Sequence, residues 1–323
     1  MASIITILNT SIGSLNVGDE IIVDAVRKVI DEMFAENFFI ANIPTHDVIG
    51  KKGKKILSRS KYSFVAGTNL LSSKYRVMRF KQWSLKLIDF FQVENIVLMG
   101  VGWTNYQEDV NFLAKLMYRN VLHNELLHSV RDNYTKLKLA SIGIKNVVNT
   151  GCPTLWELTP SHCRLIPTQK GKNVITTITD YRMDKEKDGQ MLEVLKANYD
   201  QVYIWFQGSR DETYFDSLPV NITAGIVKIS STLKAFDKIL AEKDEIDYVG
   251  TRLHAGIHSM KKTRRSIIIG VDNRAIEMKK DFSLNVIERE NIRDLDEFLN
   301  SNFETKVNLD FKLIQQWKNQ FNS

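Results

Sequence analysis

At 323 residues the chain exceeds what one hydrophobic core usually covers, so two domains are expected. Its 43% hydrophobic and 25% charged residues are ordinary for a globular protein, and two cysteines, Cys152 and Cys163, exclude a disulfide framework and lack metal-ligand spacing. The net charge of +6 is modest, no apolar run approaches the ~20 residues needed to cross a bilayer, and a reducing cytosol is the expected compartment.

Ser3–Leu8 reads as a β-branched first strand; the N-terminus lacks the basic region of a signal peptide. A loop to Gly18 follows, then a helix from near Asp19 with Ile21, Ile22, Ala25, Val26, Val29, Ile30 and Met33 at helical spacing. Strand Phe38–Ile43 precedes a basic stretch, Lys51-Lys-Gly-Lys-Lys55 with Arg59, Lys61, Arg76, Arg79, Lys81 and Lys86. Tyr62, Phe64, Tyr75, Phe80 and Trp83 are interleaved with those charges. Such a mixture suits a solvated loop and amphipathic helix, an anionic membrane surface, or base stacking on nucleic acid. Strands Tyr62–Ala66, Asn95–Met99, Leu127–Val130 and Val147–Val148 alternate with helices near Phe80–Phe90, Val110–Leu122 and Tyr134–Ile142. That alternation implies a parallel sheet with right-handed crossovers.

Residues 158–171, with Pro160 and Pro167, read as a linker. The rhythm then restarts: strand Asn173–Ile178, helix Lys187–Asn198, strands Gln201–Phe206 and Ile226–Ile229, helix Thr232–Ala241, strand Ile246–Val249, a helix from His254, and strand Ser266–Gly270. The expected architecture is α/β, with two Rossmann-like domains of parallel sheets facing a cleft as in GT-B enzymes. Domains are expected at 1–157, the acceptor side, and 172–304, the donor side, with a C-terminal helix over 305–323 packing back.

Ligands of open parallel sheets sit at the carboxyl ends of the strands. There this chain carries Asn16 to Asp19, Gly67 to Asn69, Gly100 to Trp103, Arg131-Asp132, Gly151 to Pro153, Asp180 to Arg182, Gln207 to Asp211 and Arg252 to His254. Gly13 to Gly18 has P-loop glycine spacing, but Asp19-Glu20 replaces the required Lys-Ser/Thr, so a nucleoside triphosphate is not expected. Asp19 reads as a helix cap, a sugar-hydroxyl acceptor, or both. Gly100-Val-Gly102 has Asn105 at the third glycine position of a dinucleotide fingerprint. His254 and His258 are spaced i,i+4, yet Ala255 replaces the catalytic Glu and no third ligand is evident, so no metal is expected. His258 reads as a packed or surface histidine.

The stretch from Ile246 to Met260 is the sharpest signal. A strand, a Gly250-Thr251 turn and a helix start with Arg252 and His254 offer backbone N–H groups, a planar cation and a proton carrier to an anion. Together, Asn16-x-Gly18-Asp19, Ser129-Val-Arg-Asp132, Gly151-Cys-Pro153 and Thr251-Arg-Leu-His-Ala255 resemble the polysaccharide pyruvyl transferase family. The similarity runs from the first strand to about Phe282. It implies a GT-B-like fold and transfer of the enolpyruvyl-derived group of phosphoenolpyruvate to sugar hydroxyls, giving a pyruvate ketal and phosphate. By the resemblance, Arg131, Arg252 and His254 serve the donor, with Leu253 inside the motif. Three features depart from the family pattern: Lys261-Lys-Thr-Arg-Arg265 replaces a Gly-x-Pro turn, Gly67-Thr-Asn-Leu-Leu71 is less glycine-rich, and Asp272-Asn-Arg274 replaces a loop with Lys near Asp-Pro, so Arg274 is the expected stand-in.

His254 as acid, and Asp19 ahead of Asp132 as acceptor of the hydroxyl proton, complete the expected catalytic set. Asn16, Gly18, Thr68, Asn69, Trp103 and Asp132 are the acceptor or cleft candidates. No cofactor or metal is expected beyond phosphoenolpyruvate as donor substrate. The expected partners are that donor and a saccharide acceptor, lipid-linked or not, with peripheral contact at the inner membrane face and no nucleic acid. Two other readings stay open: a GT-B-like glycosyltransferase using a nucleotide sugar, with Glu277 as the candidate ribose-binding carboxylate, and a non-enzymatic binder built on Lys51–Lys86.

Overall fold

The computed structural model describes residues 3–34, 38–75 and 83–322. Contacts group them into two compact units. The first comprises Met1–Ser14, Ile22–Trp156 and Leu309–Ser323; the second comprises Leu15–Ile21 and Glu157–Asn308. Two details differ from the sequence expectation. Residues 158–171 belong to the second unit, with a short helix Pro160–Cys163 and buried Cys163 and Ile166, so they are not a separate linker. The loop leading into the first helix also groups with the second unit.

In the first unit, β1 (Ser3–Asn9), β2 (Phe38–Pro44), β3 (Ser60–Ala66) and β4 (Ile96–Met99) form a parallel sheet in the order β2-β1-β3-β4. The parallel pair β5 (His128–Val130) and β6 (Val147–Asn149) adjoins it through a Val101–Val130 bridge and a 3.0 Å bond from Gly100 N to Ser129 O. The order 2-1-3-4-5-6 is that of flavodoxin-like doubly wound sheets. In the second unit, β7 (Asn173–Thr177), β8 (Gln201–Trp205), β9 (Val227–Ile229), β10 (Ile246–Gly250), β11 (Ser266–Gly270) and β12 (Val286–Glu288) are all parallel. Their order, β12-β11-β10-β7-β8-β9, is the Rossmann order read from the other edge.

Burial explains the composition of these strands. Helices cover both faces of a parallel sheet, so its strands are apolar without alternation. Every residue of Ser266-Ile-Ile-Ile-Gly270 and of β10 is buried. The helix Leu253–Lys261 is buried from Leu253 to Met260, and its Gly256 is required because a Cβ there would sit 2.5 Å from Ile268. Helix starts are fixed by short polar side chains: Asp132 accepts from Thr135 N, Asp184 from Lys187 N and Thr232 from Ala235 N.

The C-terminal helix Phe311–Asn319 belongs to the first unit. Trp317 and Phe321 pack on Phe64 with ring centroids 6.0 and 5.0 Å away. Several elements were not expected, notably helices Lys51–Leu57 and Asn273–Phe282 and strand β12. Part of the expected helix Phe80–Phe90 lies outside the described residues, and its end is a 3-10 turn at Leu87–Phe91. Among the described residues, no helix is long and apolar enough to cross a membrane.

Candidate functional site

The strand order of the second unit reverses between β7 and β10, where a doubly wound sheet opens a crevice at its carboxyl edge. The β10 turn closes tightly there. A Cβ on Gly250 would lie 2.6 Å from Thr177 N, so only glycine lets the two strand ends approach. Thr251 N donates to Thr177 O at 3.0 Å, Arg252 N to Thr177 Oγ1 at 3.2 Å, and Tyr248 Oη to Arg252 O at 2.8 Å. This scaffold fixes Arg252 as the N-cap residue of Leu253–Lys261, yet its side chain makes no capping bond. The neighbouring helix start at Asn273 is instead capped by Asp272. The start at Leu253 therefore presents the positive end of its helix dipole with no side-chain cap.

Arg252, 4% exposed, is held by carboxylates. Its Nε donates to Asp211 Oδ2 at 3.1 Å, and its Nη2 donates to Asp211 Oδ1 and, at 3.2 Å, to Asp180 Oδ1. That leaves Nη1 without a hydrogen bond among the described residues. Asp211, fully buried, also accepts from Gly208 N at 2.8 Å and Asp180 N at 3.0 Å. Burial pushes its carboxyl pKa up, while Arg252 and the two backbone donors pull against that. A Cβ on Gly208 would meet Arg252 Nη2 at 2.4 Å, so this glycine makes room for the guanidinium.

Tyr181 links Arg252 to Arg274. Its ring centroid lies 4.9 Å from the Arg252 Cζ and 5.4 Å from the Arg274 Cζ. Arg274 donates through Nε to Asp272 Oδ2 at 2.9 Å and through Nη2 to Asp272 and the Tyr181 hydroxyl. Burial works against the Arg274 charge, but Asp272, Tyr181 and Asp19 outweigh it and raise its pKa. Arg210 pairs with Asp180 at 3.2 Å. The guanidiniums of Arg210, Arg252 and Arg274 thus face the carboxylates of Asp180, Asp211 and Asp272 in formal balance. These three pairs therefore carry no excess positive charge.

The Asn16–Asp19 segment joins the same edge. Val17 N donates to Gln207 O at 2.9 Å, and Gln207 Nε2 to Asn16 Oδ1 at 2.8 Å. Asn16 Oδ1 also accepts from Gly18 N at 3.1 Å, so Asn16 holds the helix cap expected of Asp19. Asp19 lies in the first turn of that helix, 7% exposed and electrostatically coupled to Arg274. A Cβ on Gly18 would meet Gln207 Nε2 at 2.5 Å, and the buried Gln207 Oε1 has no hydrogen-bond partner among the described residues.

The first unit carries a second constellation at the ends of β3, β4 and β5. Gly102 N donates to Thr68 O at 2.8 Å, and Arg131 N to Val101 O at 3.1 Å. Thr68 has φ +60°, the left-handed region that brings the Thr68–Asn69 loop back on the sheet edge. Arg131, 1% exposed, pairs with Asp132 Oδ2 at 3.2 Å. Its Nη1 and Asn69 Oδ1 are buried without a hydrogen-bond partner among the described residues. Asp132 Oδ1 caps Thr135 N at 2.7 Å and takes the Thr135 hydroxyl at 2.6 Å. Asp132 is therefore occupied in orienting Arg131 and starting a helix.

Of the sequence candidates, Asn16, Gly18, Asp19, Arg252, Leu253, His254 and Arg274 lie along the carboxyl edge of the second unit. Thr68, Asn69, Arg131 and Asp132 gather in the first. Trp103 is a correction. It is fully buried, Nε1 donates to Gln107 at 3.0 Å and its ring packs against Tyr118, so it offers no face to a sugar. The base-stacking mixture is also corrected: Phe64, Tyr75 and Trp83 are buried, Tyr62 packs into the Phe64–Phe321 cluster, and Phe80 lies outside the described residues. His258, paired with Asp237 at 2.7 Å, is a packed residue. Glu277 pairs with Lys280 at 2.9 Å. Tyr181, Gln207 and Asp211 stand on the carboxyl edge expected from the sequence, but the sequence alone assigns none of them an individual role.

A family model described as polysaccharide pyruvyl transferase matches residues 16–273. No curated protein matches the sequence. Among solved structures, S. aureus MnaA, determined with UDP, is similar at TM-score 0.53 and 12% identity, covering 100% of this chain and 97% of that one. Methanocaldococcus jannaschii UDP-GlcNAc 2-epimerase, determined with UDP-GlcNAc and UDP, is similar at TM-score 0.56 and 10% identity, covering 97% and 98%. These likenesses establish a GT-B-like α/β fold.

Proposed function

Because the chain belongs to the polysaccharide pyruvyl transferase family and is thereby a transferase acting in polysaccharide modification, we propose that its donor is phosphoenolpyruvate and its product a pyruvate ketal on a sugar. The observation that carries this reading is the helix start at Leu253. It is buried, lacks a side-chain cap and is flanked by an arginine with one guanidinium nitrogen open. A small polyanion with a carboxylate and a phosphate matches such directed donors. Asp211 and Tyr181 hold Arg252 in one orientation, which removes side-chain entropy from binding.

In the proposed reaction the vinyl C3 of phosphoenolpyruvate takes a proton and C2 becomes oxocarbenium-like. One sugar hydroxyl adds to C2 and gives up its proton, and the C2–O bond to phosphate breaks. A second hydroxyl closes the ketal, and its proton leaves with phosphate, so two C–O bonds form and one is lost. His254, in the first turn of the helix, is the proposed proton donor to C3, a contribution of about 10²–10⁴ in rate. Asp19, coupled to Arg274, is the proposed acceptor of a hydroxyl proton. Arg131 is the first unit's candidate donor residue, with its unpartnered Nη1 as the available nitrogen.

Calorimetric titration tests the donor. Wild-type protein should bind phosphoenolpyruvate, Arg252→Lys should weaken it about tenfold or more because an ammonium cannot keep the two-pronged bond to Asp211, and His254→Gln should bind while losing turnover. The structural neighbours are described with UDP and UDP-GlcNAc. Binding of UDP-GlcNAc with no binding of phosphoenolpyruvate would instead favour a nucleotide-sugar donor.

A further inference from the structure

The first unit carries a surface that the transfer reaction does not use. Between Val48 and Ile88 the sequence has no Asp or Glu, and the helix Lys51–Leu57 presents Lys51, Lys52 and Lys55 to solvent, followed by exposed Arg59 and Lys61. The turn Leu87–Phe91 is fastened to that helix: Lys54 Nζ bonds Gln92 Oε1 at 2.7 Å and pairs with the buried Asp89. Ser84 N to Thr45 O at 2.9 Å and Lys86 N to Asp89 Oδ2 at 2.8 Å fix the turn further. Leu85, Phe90 and Val93 are sunk in the core, so the segment is firmly anchored. Yet Leu87, Ile88 and Phe91 face outward, 39, 55 and 70% exposed. An anchored turn that exposes three large apolar side chains beside a lysine-rich helix is not an ordinary solvated surface.

We infer that this turn and helix dock the protein on an anionic lipid surface, with Leu87, Ile88 and Phe91 entering the interface and the lysines facing the headgroups. Charge complementarity selects the occupant. The exposed cations come from a stretch that holds no acid between Val48 and Ile88, which a negative leaflet attracts, and short apolar insertion adds the second signal that stable peripheral binding requires. Nucleic acid fits less well, because two of the three exposed side chains are aliphatic and the nearby Tyr75 and Trp83 are buried. Such docking would hold the enzyme where lipid-linked saccharides lie, and it stands independently of the donor.

The test is flotation of the 323-residue chain with phosphatidylcholine vesicles and with vesicles containing phosphatidylglycerol, at low and physiological salt. Binding is expected to the anionic vesicles only and to fall with salt. Ile88→Ser with Phe91→Ser, and separately Lys51→Glu with Lys52→Glu and Lys55→Glu, should each reduce the bound fraction about tenfold. Both variants should keep the wild-type melting temperature and phosphate release from phosphoenolpyruvate with a soluble acceptor. No flotation, equal binding to neutral vesicles, or unchanged binding by both folded variants would overturn the inference. Tight, salt-sensitive oligonucleotide binding, or self-association lost in Ile88→Ser with Phe91→Ser, each without vesicle binding, would also overturn it.

Discussion

Asp211→Asn is the most informative single change, because it alters charge but scarcely size. The Asp211 carboxylate is fully buried and accepts from four donors: Arg252 Nε, Arg252 Nη2, Gly208 N and Asp180 N. Asparagine supplies one carbonyl oxygen and turns the other position into an N–H₂ group. Whichever way it is oriented, one arginine bond and one backbone bond lose their acceptor. A charge-assisted bond contributes about 1.5–3 kcal/mol and an orphaned buried amide costs about 1–3 kcal/mol. The sum agrees with the ~3–5 kcal/mol typical of breaking a buried ion pair. Urea unfolding should show a loss of that size, accompanied by weaker binding of phosphoenolpyruvate as Arg252 gains freedom. A variant within ~1 kcal/mol of wild type and with full affinity would refute the view that Asp211 fixes Arg252.

Three further outcomes are expected. His128 is fully buried, with Nδ1 accepting from Leu98 N and Nε2 facing His123 O, and burial lowers its pKa from 6.5 to about 4. A depressed folded pKa gives stability that is complete above the unfolded value and lost as pH falls toward the folded one. From pH 7 to 4.5 the loss from this group is about 2.5 kcal/mol, and urea unfolding of His128→Gln should show a pH dependence smaller by that amount. Gly102→Ala would put a Cβ 2.2 Å from Arg131 Nη2, so Arg131 must leave its present pairing with Asp132; turnover should fall at least ~10-fold with the protein still folded by circular dichroism. Trp103→Phe removes the bond to Gln107 and part of a fully buried ring, so acceptor KM should be unchanged while the melting temperature drops.

Much of this architecture was legible in the residues. Continuous apolar strands such as Ser266–Gly270 and strand ends marked by Gly250, Gly208 and Gly102 point directly to parallel sheets with a crowded carboxyl edge. The helix start beside Arg252 was legible because a strand, a glycine turn and a helix in succession are a local signal. Asp211 was not, since its importance lies in a contact 41 residues away in sequence. Trp103 misled for the converse reason: an aromatic at a strand end reads the same from sequence whether it faces solvent or the core. Helix Asn273–Phe282 stayed hidden because Asp272-Asn-Arg274 reads as a loop, although Ala275, Met278 and Phe282 share one buried face.

The account turns on the fate of phosphoenolpyruvate. Incubating the protein with ¹³C2-labelled phosphoenolpyruvate and a panel of saccharide acceptors, with the labelled carbon followed by NMR, tests it directly. The account predicts conversion of the enol carbon to a ketal carbon bonded to two sugar oxygens, phosphate release in equal amount, and loss of both signals in His254→Gln. Folded wild-type protein that leaves the label unchanged with every acceptor, yet consumes a nucleotide sugar, would contradict it.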